Sequence, residues 1–235
     1  LDMIAKSLEG QTWTDTKSGT PGTFEGIDAG YWLFETKSVG ATTGADRNKD
    51  AYTSPIFAVV GGEDVKVEPK KDVPNVTKAV KDDVTDGNKD VFEAPNRVAD
   101  SASDQLIEYQ LAGTVASNIN TYEKYSYTFT DDLPSTMVPN LSDGKPVVEV
   151  KIDNAKVKEG YYTANYVTDQ GKNELVVSFD NLKGEIKSDK DKDITVSGSS
   201  KIYVNYKAKL NPTKVNADIL GKGQKNTVTL TYSNN

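Results

Sequence analysis

Lys78 and Asn234 are the two residues whose types and settings raise a chemical question. In Val73-Pro-Asn-Val-Thr-Lys-Ala-Val80, Val76, Lys78 and Val80 alternate. An extended strand turns all three to one face, which aims Lys78 at a core. In Thr227-Val-Thr-Leu-Thr-Tyr-Ser-Asn-Asn235 the same alternation groups Val228, Leu230, Tyr232 and Asn234, so a carboxamide also enters an apolar layer. A strand that opens a domain and one that closes it are natural neighbours in a sandwich. An isolated charge in such a layer is costly, so a buried amine beside a buried carboxamide calls for a chemical explanation.

Composition narrows the chemistry further. The 235 residues include no histidine, hence neither the common general base at neutral pH nor the commonest metal ligand. They include no cysteine, which excludes disulfides, thiolate metal sites and thiol nucleophiles. Conventional turnover chemistry is therefore not expected, and neither is a metal or any other cofactor. With 28 Lys and Arg against 35 Asp and Glu, the net charge of -7 argues against a nucleic-acid partner. No run of 18 apolar residues occurs, so no helical membrane span is expected.

The pairing of the Pro74-x-Val76-x-Lys78-x-Val80 opening with the Tyr232-Ser-Asn-Asn235 close resembles the shaft pilins of Gram-positive bacteria. In that family, Ig-like domains are locked by a spontaneous Lys-to-Asn isopeptide bond. The resemblance implies Lys78 as nucleophile, Asn234 as electrophile and an acidic residue to assist. Asp131, in Tyr127-Thr-Phe-Thr-Asp-Asp-Leu-Pro134, matches the family's Thr-Asp-x-Leu-Pro segment. An amine attacks a carboxamide only as the free base, and burial promotes loss of its proton. The same burial keeps a carboxyl protonated, able to donate to the amide oxygen. Ammonia leaves, and nothing is turned over: this is single-use catalysis by proximity. Three other residues compete for these roles. Asn235 shares its parity with Thr229 and Thr231, Asp132 lies off the face that Asp131 shares with Phe129, and Glu108 is a third carboxylate. The plain reading of Lys78 is an edge-strand lysine whose head reaches water.

The elements that must position these groups read as all-β: short alternating runs rich in Thr, Val and Tyr, separated by turn clusters. The expected fold is two Ig-like, collagen-adhesin-type β-sandwich domains in tandem, residues 1–70 and 71–235. Pro69-Lys-Lys-Asp-Val-Pro74 forms the junction, its prolines unsuited to a central strand. In the second domain, strands are expected at 106–111, 125–130, 146–152, 174–179, 201–210 and the close. Turns are expected at Ser142-Asp-Gly144 and Asp169-Gln-Gly171, and a short helix at 215–220. Ser188-Asp-Lys-Asp-Lys-Asp193 reads as a solvated loop, as does the acidic stretch 82–90, whose spacing is not that of a calcium loop.

In the first domain, Tyr31-x-Leu33-x-Glu35-Thr36 resembles a box of pilin and collagen-adhesin B-type domains, which implies that Glu35 assists a bond or anchors a neighbouring segment. The family's first strand is not recognisable ahead of Leu1, so this domain is expected to be incomplete, with both ends of the protein trimmed. Val65-Lys-Val-Glu-Pro-Lys70 resembles the pilin motif, in which a sortase joins the lysine to the next subunit's C-terminus. Lys70 is the matching residue, Glu68 replaces the family's Tyr, and Lys71 is an adjacent competitor. The resemblance thus implies a structural shaft subunit on an extracellular, cell-wall-attached pilus. Its partners would be neighbouring pilin subunits, a pilus sortase and, if the chain is instead an adhesin, a host surface ligand.

Overall fold

The computed structural model describes residues 28–34, 56–61, 65, 73–81, 105–215 and 224–233. The chain divides after Val73, and the second unit runs Pro74–Ser233. The fold is all-β. In the first unit, β1 (Gly30–Phe34) pairs antiparallel with β2 (Ile56–Val60), Gly30 opposite Val60 and Phe34 opposite Ile56.

The second unit opens with β3 (Val76–Lys81), β4 (Ile107–Thr114) and β5 (Tyr127–Asp132). Short strands follow: β6 (Met137–Pro139), then a hairpin of β7 (Leu141–Ser142) and β8 (Lys145–Pro146). Next come β9 (Val148–Ile152), β10 (Ala155–Lys156), β11 (Thr163–Val167) and β12 (Glu174–Phe179), and β13 (Lys201–Leu210) and β14 (Thr227–Tyr232) complete the unit. One sheet has the order β10-β9-β13-β4-β3, with β6 also on β13, and a second has the order β11-β12-β5-β14. Among the described residues every strand pair is antiparallel, and the first strand and the last of this unit each form one edge of a different sheet.

Alternation decides which side each strand presents. Tyr109 and Leu111 of β4, Tyr127 and Phe129 of β5, Leu175, Val177 and Phe179 of β12, and Ile202, Val204, Tyr206 and Ala208 of β13 are all buried. Their period of two sends them inward while Lys201, Lys207 and Lys209 stay exposed, so the two inner faces share one core. The sheets approach closely at Gly113. A Cβ there would lie 2.3 Å from the Tyr127 hydroxyl and 2.9 Å from the Phe129 ring. Only glycine fits that gap.

The turn expected at Ser142–Gly144 closes β7 and β8, with Asp143 and Gly144 both at positive φ, 49° and 76°. Those are the angles of a tight hairpin turn, for which Asp-Gly is suited. The turn expected at 169–171 is a short 3-10 segment kinked at Gln170, whose φ of 53° is left-handed. Ser188–Asp193 is tighter than an open loop, since Ser188 N–H donates to the Lys192 carbonyl and Lys187 bridges to Asp193. Its charged side chains are nonetheless largely exposed. The helix expected at 215–220 falls almost wholly outside the described residues, as does the stretch 82–90.

Candidate functional site

Lys78 sits on β3 opposite Leu111 of β4, flanked by Val76 and Val80, which pack against the core. Its side chain is only 13% exposed, so it does not act as a lysine with its head in water. Across the sandwich, Asp131 lies on β5 between Leu175 of β12 and Val228 of β14, with no exposed surface at all. The two side chains meet between the sheets. Lys78 Nζ donates to Asp131 Oδ1 at 2.6 Å and Oδ2 at 2.7 Å.

Two tyrosines complete the site. Tyr206 of β13 accepts from Lys78 Nζ at 2.9 Å and donates its own hydroxyl proton to Asp131 Oδ2. Tyr109, opposite Tyr206 on β4, stacks on it with ring centroids 5.2 Å apart. Lys78 Nζ lies 4.8 Å from the Tyr109 ring centre and 5.5 Å from that of Tyr206, within range of cation-π attraction. The amino-acid sequence does not single out either tyrosine among the twelve in the chain. The signal that marks Tyr206 is its parity with Ile202, Val204 and Ala208, which forces a phenol into a layer where its hydroxyl needs a polar partner.

The protonation equilibria follow from burial. Desolvation brings the Lys78 amine down to about 8 from 10.5, against the opposing attraction of Asp131. Desolvation likewise raises the Asp131 carboxyl above its ordinary 3.8, while Lys78 and Tyr206 pull it back. Burial raises Tyr206 well above 10 and Tyr109 to about 12, so both stay protonated at neutral pH. Burial thus works against the charged form of both groups, favouring transfer of a proton from the amine to the carboxyl. What results is a neutral amine beside a neutral acid, the combination that amide chemistry requires.

The other two carboxylates that could take this role face elsewhere. Glu108 is on the outer face of β4, pairing with Lys207 at 2.8 Å and Lys81 at 3.6 Å, and Asp132 is exposed. Glu35, Lys70, Lys71, Asn234 and Asn235 lie outside the described residues. Among the described residues, no group of three or more metal-ligating side chains gathers, and no helix is long and apolar enough to cross a membrane.

No family model matches the chain, and no curated protein does. Solved structures do. Among those it resembles are major pilins of Gram-positive bacteria. The pilus backbone RrgB from Streptococcus pneumoniae aligns over 69% of this chain and 32% of its own, at 17% identity and a TM-score of 0.43. The major pilin GBS80 of Streptococcus agalactiae, as a 35 kDa C-terminal fragment, aligns over 68% and 49%, at 19% identity and 0.45. BcpA, the major pilin subunit of Bacillus cereus, aligns over 89% and 51%, at 17% identity and 0.46. The chain thus spans between 32% and 51% of the length of these three solved structures.

Proposed function

We propose that this chain belongs to the backbone of a covalently polymerised surface pilus on a Gram-positive cell, and that its second domain is locked by an isopeptide bond from Lys78 to a carboxamide on the closing strand. The observation that carries this reading is the buried contact of Lys78 Nζ with both Asp131 oxygens, 2.6 and 2.7 Å away, between the first strand of the domain and the neighbour of its last. A buried ion pair adds little stability over an apolar core, and its desolvation is expensive. Reaction gives the arrangement a purpose, because it converts the amine to an uncharged amide.

In this reading the domain is structural and makes one bond, once. Folding assembles the reactants, and proximity replaces turnover. Lys70 is proposed as the lysine that a sortase joins to the neighbouring subunit, on the strength of the Val65-to-Lys70 motif.

Intact-protein mass spectrometry tests the cross-link. The purified chain is expected to weigh about 17 Da less than its sequence, the ammonia expelled by aminolysis, and Lys78→Ala or Asp131→Ala to restore the full mass. A wild-type chain at full mass would remove the proposal. For the polymer, incubation with a pilus sortase is expected to build ladders that Lys70→Ala abolishes; undiminished ladders clear Lys70 of the role.

A further inference from the structure

The closing segment carries a carboxamide nearer the site than residue 234. Asn226 stands just ahead of β14, and both polar atoms of its side chain, Oδ1 and Nδ2, are buried without a hydrogen-bond partner. A buried polar group left so is costly, and folded chains keep few of them. The amide lies beside the Tyr206 hydroxyl, near enough to favour the ionised phenol, yet without the geometry of a completed hydrogen bond. That hydroxyl is itself 2.9 Å from Lys78 Nζ and bonded to Asp131.

Register points the same way. Val228 is directly opposite Asp131, and Asn226, two residues earlier, has the same parity. Its Cα is therefore about 6 to 7 Å further along the same face, within reach of the Lys78 amine. In the other direction the strand runs away from the site. Tyr232 pairs with Tyr127, and Ser233 N–H donates to the Ser126 carbonyl at 3.0 Å. There the strand has already moved about 13 to 17 Å from the level of Asp131, further than a lysine and an asparagine side chain can close.

We propose that Asn226, in place of Asn234, is the carboxamide to which Lys78 is joined; this rests on the proposed function, a cross-linked domain. The neutral Nζ attacks Cγ of Asn226, the new N–C bond forms, and the carbonyl electron pair moves onto Oδ1. The Asp131 carboxyl and the Tyr206 hydroxyl stand beside this centre to hydrogen-bond the developing oxyanion. Asp131 gives its proton to Nδ2 and recovers one from Nζ as the Cγ–Nδ2 bond breaks. A primary amine and a primary amide become a secondary amide and ammonia, with no other reactant.

The test compares intact masses of the wild-type chain, Asn226→Ala, Asn226→Asp and Asn234→Ala, and sequences the cross-linked peptide from a wild-type digest by tandem mass spectrometry. Wild type and Asn234→Ala are expected to lack about 17 Da, and Asn226→Ala nothing. Asn226→Asp, which keeps the shape of the side chain, is expected to lack about 18 Da, because water leaves in place of ammonia. The branched peptide should join the segments holding Lys78 and Asn226, a readout that does not depend on any variant folding. A branch at another residue, or a deficit lost in Asn234→Ala and kept in Asn226→Ala, overturns the assignment while leaving the cross-link standing. A wild-type chain with no deficit removes both.

Discussion

Asp131 occupies a position where sheets ordinarily place valine or leucine, between Leu175 and Val228 in the middle of a strand. It is held there by the Lys78 amine and the Tyr206 hydroxyl, and each of the three groups would be a liability without the other two. The cost shows in the amine, held near 8 by burial against 10.5. Between those values the unfolded chain binds more protons than the folded one, so stability rises with pH across that interval. Asp131, raised by burial, acts with the opposite sign above 3.8, and the buried tyrosines do so above 10. The window for Lys78 is therefore roughly pH 8 to 9.5, in chain that is not cross-linked. Urea unfolding of Asn226→Ala is expected to show a gain of about 1 to 2 kcal/mol across it. Replacing Lys78 by Met and Asp131 by Leu in the same background should flatten the slope; a slope that survives the replacement belongs to other groups.

At the scale of the elements, the two sheets meet over Gly113, where the Tyr127 hydroxyl and the Phe129 ring fill the space that a side chain would need. Gly113→Ala is expected to cost about 1 to 3 kcal/mol, read as a lowered denaturant midpoint at unchanged m-value. A neutral result would mean that the sheets part easily. Strands such as β12 and β13 were legible in the sequence because Leu175, Val177 and Phe179, or Ile202, Val204 and Tyr206, alternate with polar residues over the whole element. The strand Thr163–Val167 was not. It pairs only with β12 and buries none of its residues fully, so its Thr, Ala and Asn carry no apolar period. Parity likewise placed Lys78 and Asp131 on inward faces, but it cannot measure distance along a strand. The Tyr232-Ser-Asn-Asn235 close pointed to Asn234, and Asn226, which shares the face of Val228 and Leu230 as well, drew no notice. Choosing between them needs the register of β14 on β5, which pairing between distant segments sets.

For the molecule as a whole, a bond from Lys78 to Asn226 would close a loop of about 150 residues and remove roughly 5 kcal/mol of freedom from the unfolded chain, by analogy with a disulfide of that span. The second domain of Asn226→Ala is accordingly expected to melt roughly 10 to 20 °C below wild type by calorimetry. Equal melting temperatures would show that the bond does not stabilise the fold. The placement of β3 and β14, each at the edge of its own sheet, has one more consequence. Once they are joined, the backbone between them is a covalent ring with two tails. A protease that cuts the exposed tip at Asp143 and Gly144 then opens the ring and releases nothing, and the nicked protein runs as one branched species under denaturing conditions.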